Sequence, residues 1–232
     1  PMEADVRLIR ADMTNCYLIT SQGGSILVDT GTYRFWWRRF LREARRAEAG
    51  DPARGLKAIF ITHGHFDHLG SASRLSAAAG CGILMHAGDY ELLKQGQKVD
   101  AKPEGPWARA VMSASPLMFV PPLDEGFRVS SPFGDDGLDL HSTGFPGRII
   151  HAPGHTQGSS ALVLDDGRAF IGDMAMSGFP SLSKKPSLPI IVQDQGQNRR
   201  SWRKVLDCCD AHTFYPGHGR GFTRKEALEM LE

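Results

Sequence analysis

The chain reads as an α/β fold in which two mixed sheets pack face to face and helices cover their outer sides. Three observations predict it. Short apolar runs of strand length come in two blocks, and helical segments follow each block. At 232 residues the chain can bury one substantial core, so a single domain over 1–232 is expected. Histidines and aspartates recur just past the ends of the apolar runs, as they would if those ends shared one mouth.

Val6–Ile9, Cys16–Ile19 and Ser25–Val28 are expected as short antiparallel strands. Arg34–Arg46 is expected as a helix, since Trp36, Trp37, Phe40, Leu41 and Ala44 share one face and arginines lie opposite. Leu56–Ile61 reads as a buried strand, Gly70–Ala79 as an alanine-rich helix, Ile83–Met85 as a strand and Ala87–Lys94 as a short helix. Gly147–His151, Ser160–Leu164 and Arg168–Ile171 are strands, the last two joined by the hairpin signal Asp165-Asp166-Gly167. Arg199–Cys209 is a helix, and Thr223-Arg224-Lys225-Glu226 opens a final helix with a capping box.

Two segments match no regular element. Gln95–Pro132 carries Pro103, Pro106, Pro116, Pro121 and Pro122 with Trp107, Met112, Met118 and Phe119 between them. A loop of that length suggests an apolar flap over that mouth, a satellite patch packed on the body, or a contact in a homodimer. Met174–Asn198 carries Lys184 and Lys185, which could bind a substrate carboxylate or phosphate. Tyr33, just past Asp29-Thr30-Gly31, could approach a bound substrate with its phenol.

A formal net charge of +1 gives no polyanion signature, so no nucleic-acid partner is expected. No apolar run approaches the roughly 18 residues of a membrane span, and the acidic start Pro1-Met2-Glu3-Ala4-Asp5 does not read as a signal peptide. A cytoplasmic protein is the expectation. Cys16, Cys81, Cys208 and Cys209 form no C-x-x-C pair and are expected as buried free thiols.

The densest signal is Thr62-His63-Gly64-His65-Phe66-Asp67-His68-Leu69-Gly70, with three imidazoles and a carboxylate within six residues. These are ligand types for Zn²⁺ and similar borderline ions. His155 follows Pro153-Gly154, Asp173 follows Gly172, and His218 follows Pro216-Gly217, each at the end of an apolar run. Seven ligands exceed one tetrahedral site and suit two metals that share a carboxylate and a water. His86, His141, His151 and His212 are expected as hydrogen-bonded or exposed histidines.

The ordered set His-x-His-x-Asp-His, then His, Asp and His, resembles the metallo-β-lactamase superfamily. Asn15–Ile19, Ile26–Gly31 and Ala152–Ser159 look like further motifs of that family. The resemblance runs from about Val6 to about Gly219 and implies an αββα sandwich. It implies one metal on His63, His65 and His155, a second on Asp67, His68 and His218, and Asp173 bridging them. Asp29 would stand behind the ligands, and Asp67 would also orient the nucleophile or take its proton. Two divalent ions, zinc first and iron or manganese as alternatives, would ionise a shared water near neutral pH.

Asp173 argues against an antibiotic-degrading member, because the β-lactamases with this pattern lack the bridging carboxylate. Glyoxalase II-like proteins keep it, and their motifs look most similar. Only fourteen residues follow His218, too few for the C-terminal helical region with which glyoxalase II holds glutathione. The resemblance thus implies a hydrolase of a small-molecule ester, thioester or lactone. Phosphodiester cleavage on the same site, or persulfide oxygenation by one iron on His63, His155 and Asp173, are the alternatives.

Overall fold

The computed structural model describes residues 4–11, 13–32, 34–48, 55–114 and 127–232. The first sheet has the order β1-β2-β3-β4-β5-β7, with β1 at Asp5–Ala11, β2 at Thr14–Ser21, β3 at Gly24–Val28, β4 at Leu56–Phe60, β5 at Gly82–His86 and β7 at Ser131–Phe133. Its first three strands form an antiparallel meander, and from β3 onward the pairings are parallel. The second sheet has the order β16-β15-β11-β10-β9-β8. Here β8 is Leu138–Asp139, β9 Gly147–His151, β10 Ser160–Leu164, β11 Arg168–Gly172, β15 Thr213–Pro216 and β16 Phe222–Thr223. Only the β11–β15 pairing is parallel in this sheet.

Strand alternation builds three apolar layers. Tyr17 and Ile19 of β2, Ile26 and Val28 of β3 and Phe60 of β4 meet Ile149, Leu162, Leu164 and Phe170 of the other sheet in one cluster. Their neighbours Cys16, Leu18, Leu27 and Ile59 turn the other way and pack on Phe40, Ala44, Ala72 and Leu75. Those four come from α1 (Trp37–Glu48) and α3 (Ala72–Ala79). Across the molecule Ala161, Val163, Ala169, Ile171 and Phe214 pack on Trp202, Val205 and Leu206 of α6 (Gln195–Asp207) and Ala227 of α7 (Arg224–Leu231). Helix, sheet, sheet and helix are therefore the four layers, as expected. Burial on both faces is why these strands read as unbroken apolar runs. The Thr223–Glu226 capping box forms at the start of α7.

The two segments expected to lack regular structure do contain elements. Gln95–Pro132 holds β6 (Lys102–Pro103), α5 (Gly105–Ala114) and the start of β7, while its residues 115–126, with Pro116, Met118, Phe119, Pro121 and Pro122, lie outside the described residues. Met174–Asn198 holds β12 (Met176–Gly178), β13 (Ser183–Ser187), β14 (Ile191–Val192) and the start of α6. β6 and β14 are two residues each and pair with one another, Ile191 opposite Pro103 and Val192 opposite Lys102. Strands that short carry no readable periodicity, and their pairing is wholly non-local. Helix α5 opens on Gly105-Pro106, where a proline suits the first helical turn. Helix α6 begins before the expected Arg199 because the Asp194 side chain caps it, accepting from the Gln197 N–H. Among the cysteines Cys16 is buried, whereas Cys81 and Cys208 are only half-buried, against expectation. The Cys209 side chain lies outside the described residues. Burial pushes the Cys81 thiol up to about 11. No helix among the described residues is long and apolar enough to cross a membrane.

Candidate metal centre

The first motif is not one loop but two conformations in series. After β4 the chain bends through Thr62, His63 and Gly64, is extended at His65 (φ −76°, ψ 147°), and then α2 (Phe66–Leu69) makes a single helical turn. The bends bring the His63 and His65 rings together, centroids 4.7 Å apart, and the helical turn presents Asp67 and His68. From the second sheet, His155 follows β9, Asp173 follows β11 directly, and His218 follows β15. The Ser160 N–H donates to the Thr62 carbonyl at 2.9 Å, joining the sheets at this end.

All seven expected residues come together there. His63 Nε2, His65 Nδ1 and His155 Nε2 form a triangle with edges of 3.1, 3.2 and 3.0 Å. Those edges approach the face of a coordination tetrahedron with bonds of about 2.0–2.1 Å, as in zinc–imidazole sites. His218 Nε2 lies 3.1 Å from Asp67 Oδ2 and 3.4 Å from Asp173 Oδ2. His68 Nε2 lies 3.5 Å from Asp173 Oδ1 and 3.8 Å from Asp67 Oδ2. Asp173 Oδ2 is also 3.7 Å from His155 Nε2, so this carboxylate stands between the two groups. Close approach needs Gly217: a Cβ there would lie 2.4 Å from Asp173 Oδ1 and 2.6 Å from the His68 ring.

Whether these residues fit a pair of cations can be tested on the polar atoms left over. His68 Nε2 and Asp173 Oδ1 are buried with no hydrogen-bond partner. A buried polar atom without a partner costs about 1–3 kcal/mol. Both belong to the His63, His68 and Asp173 group, whose ligand atoms lie within 4.8 Å of one another, and a cation held there would give them a partner. The donor set of five imidazoles and two carboxylates, without thiolate, suits zinc, iron or manganese. The residues fit the group.

His63, His68 and His218 are oriented from behind, whereas His155 Nδ1 is buried without a hydrogen-bond partner. Asp29, at φ +59° just past β3, accepts from His68 Nδ1 at 2.8 Å and from the Thr62 N–H at 2.9 Å. Thr62 Oγ1 lies 3.1 Å from His63 Nδ1, and the Met13 carbonyl accepts from His218 Nδ1 at 3.1 Å. The Asn15 amide donates to the carbonyls of Pro216 and Gly219, and the Tyr17 hydroxyl also donates to Pro216. Met13, Asn15 and Tyr17 are not ligand types and act on or through backbone about 200 residues away, so their supporting role is not readable from local sequence.

The two halves differ electrostatically. Burial, then the neighbouring imidazoles, holds His63 well below the ordinary histidine range. Burial likewise lowers His65, and lowers His155 to about 3. Burial also opposes charge on His68, but the carboxylates of Asp29, Asp67 and Asp173 outweigh it and push the group well above that range. For His218 the carboxylates of Asp173 and Asp67 overcome burial and raise it to about 10. Asp67 and Asp173 are lowered against their own burial by His68 and His218.

Of the expected substrate contacts, Tyr33 lies outside the described residues, and Lys184 and Lys185 are exposed on β13 with no hydrogen bond or ion pair to the cluster. Of the four other histidines, His141 lies between Asp139 and Asp165, and His212 bonds the Asp166 carbonyl. His86 and His151 stack at 3.9 Å with their planes 7° apart, and both approach Asp135. A cation bonded to both stacked rings would lie far out of both ring planes, so this cluster is a poor metal site.

Known proteins agree with this architecture. The family model described as the metallo-beta-lactamase superfamily matches residues 9–218. An uncharacterized protein of Mycobacterium leprae is 27% identical over 219 residues, covering 90% of this chain and 88% of that protein. The hydroxyacylglutathione hydrolase GloC of Haemophilus influenzae is 27% identical over 179 residues, covering 76% and 74%. A probable metallo-hydrolase of Bacillus subtilis, YflN, is 28% identical over 150 residues, covering 60% and 51%. Among solved structures, the BLEG-1 B3 metallo-beta-lactamase superposes with a TM-score of 0.66 at 19% identity, covering 97% of both chains. TTHA1623 in a di-iron-bound form superposes with a TM-score of 0.62 at 23% identity, covering 97% of this chain and 98% of that one. With a family match over nearly its whole length, the same four layers and buried His/Asp clusters at the shared end of both sheets, this chain belongs to the metallo-β-lactamase superfamily.

Proposed function

We propose that the protein is a metal-dependent hydrolase of a small-molecule ester, thioester or lactone. The observation that carries this is the pair of ligand groups, His63/His65/His155 and Asp67/His68/His218, with Asp173 between them. Two divalent ions held there would lower the pKa of a water between them and polarise the oxygen of the bond under attack. The similarity to a protein named hydroxyacylglutathione hydrolase supports a thioester or related acyl substrate.

The chain's own residues have defined tasks in this reading. His63, His65 and His155 are neutral donors with lone pairs converging on one point. His68 and His218 hold the other position, oriented by Asp29 and the Met13 carbonyl. Asp67 is the more exposed of the two carboxylates, with its side chain 13% accessible against 6% for Asp173. It stands at the open side, where it can orient the attacking water and accept its proton. The fold supplies no serine or cysteine among these seven residues, and none is needed as a nucleophile.

The test is a substrate panel of thioesters, lactones, aryl esters, phosphodiesters and a cephalosporin, run with Zn²⁺, Mn²⁺ and Fe²⁺ and with metal content measured. Turnover of acyl substrates, with about two ions per chain, is the expected result. Failure to cleave any member with two ions bound would refute the hydrolase reading. Phosphodiester turnover alone would move the activity to the alternative chemistry.

A further inference from the structure

The most deeply buried acid outside the seven is Asp89, 0% exposed, and the metal chemistry so far gives it no task. It is the third residue of α4 (Ala87–Lys94), whose start is capped by His86 accepting from the Gly88 N–H. One carboxylate oxygen accepts from the Gly64 N–H at 2.8 Å and from the Thr156 hydroxyl at 2.7 Å. The other accepts from the Gly158 N–H at 2.8 Å. Gly64 lies between His63 and His65, and Thr156 is the residue after His155. A single side chain thus ties together the two loops, from opposite sheets, that carry the three-imidazole triangle.

The backbone is shaped around this contact. A Cβ at Gly158 would lie 2.6 Å from Asp89 Cγ, and a Cβ at Gly64 would lie 3.1 Å from Asp89 Cβ. A side chain at Gly158 would push its loop off the carboxylate, whereas at Gly64 the tighter contact is Val99 Cγ2 at 2.6 Å. The remaining hydroxyl partners are internal to the second loop: the Thr156 N–H donates to Ser159 Oγ at 2.9 Å. Without Asp89, no other side-chain hydrogen bond among the described residues spans these two loops behind the ligands.

We infer that Asp89 is the positioning residue of the three-histidine half of the centre, the counterpart of Asp29 behind the other half. It sets the separation of the His63–His65 and His155 loops, and therefore the size of the triangle a cation must fill. The inference rests on reading the seven residues as a metal centre.

Asp89→Asn is the informative change. An amide accepts through one oxygen only, so its NH₂ must face either the Gly158 N–H or the Gly64 N–H, donor against donor, while the Thr156 hydroxyl can turn to accept. The readout is ¹¹³Cd NMR of the full chain with ¹⁵N-labelled histidine. In the unaltered protein one cadmium signal should couple to three histidines and the other to two. In Asp89→Asn the three-histidine site should bind cadmium about 10–100-fold more weakly, the usual effect of removing such a support, while the two-histidine signal persists. Asp29→Asn should give the opposite pattern, which a general loss of packing would not.

Thermal melting of the metal-free protein separates misfolding from loosened ligation. Should Asp89→Asn not fold, Thr156→Val removes one donor only and should weaken the same site in the same direction. Equal weakening of both sites in a folded variant, or no weakening in either variant, overturns the inference. Failure of the unaltered protein to show two signals coupled to three and two histidines would instead refute the metal-centre reading itself, whatever Asp89 does.

Discussion

Replacing Asp29 with Asn should weaken one half of the metal centre and spare the other. Asp29 accepts from the Thr62 N–H at 2.9 Å on Oδ1, and from His68 Nδ1 at 2.8 Å on Oδ2. Its left-handed backbone, φ +59°, is one that asparagine tolerates, so the turn itself survives. The amide cannot accept on both sides. With its oxygen toward Thr62, its NH₂ faces His68 Nδ1 and drives the ring proton to Nε2, the nitrogen that faces Asp67 and Asp173. With the amide flipped, the buried Thr62 N–H loses its partner. Either arrangement forfeits a hydrogen bond to a charged group, about 1.5–3 kcal/mol. At about 1.4 kcal/mol per decade that is about 10–100-fold in affinity. The assay is competition with a chelator of known affinity, reading the two metals separately. The Asp67/His68/His218 site should weaken by that factor, and the three-histidine site by less, because Asp29 reaches it only through the Thr62 hydroxyl beside His63 Nδ1. Unchanged affinity in a folded variant would refute the role assigned to Asp29, as would an equal loss at both sites.

The remaining predictions concern the shared ligand, the protons and the core. Asp173→Ala should lose both metals or scramble the site, whereas His86→Ala should cost about 1 kcal/mol through the lost helix cap and keep the metal stoichiometry; elemental analysis with thermal melting compares them. His68 and His218 hold their protons at pH 7, His218 up to about 10, and a cation needs them neutral. Metal binding at that half should therefore release protons, and its affinity should climb as pH rises from about 7 towards 10. The half containing His63, His65 and His155 is already neutral at pH 7 and should release none; calorimetry in buffers of different ionisation enthalpy reads the difference, and equal release at both sites would contradict it. Trp202 is fully buried behind Asp173, its indole N–H donating to the Met174 carbonyl at 3.1 Å, so Trp202→Ala should destabilise by about 3–5 kcal/mol in denaturant titration. Cys16 packs in the layer between the first sheet and its helices, so Cys16→Ala should shift the melting temperature and leave the chemical step alone.

Much of the centre was legible because its residues announce themselves by type and place. His63, His65, Asp67 and His68 are neighbours in sequence, and His155, Asp173 and His218 each sit just past an apolar run. A strand end is fixed locally, by where apolar alternation gives way to glycine and proline, so the chain alone marks such positions. The same local logic placed β9, β10, α4 and the capping box of α7 at their observed bounds. It failed where pairing is brief and distant. The two-residue strands β6 and β14 exist only because each meets the other across about ninety residues of chain, and neither shows a period. It failed likewise for Asp89. An acid in the first turn of a helix reads as an ordinary surface residue that complements the helix dipole. Only the packing of α4 against two loops from opposite sheets buries that carboxylate and supplies its three donors. Local chemistry chose the ligands, and tertiary packing decided what holds them apart, because most of the supporting bonds run to backbone groups that every residue possesses.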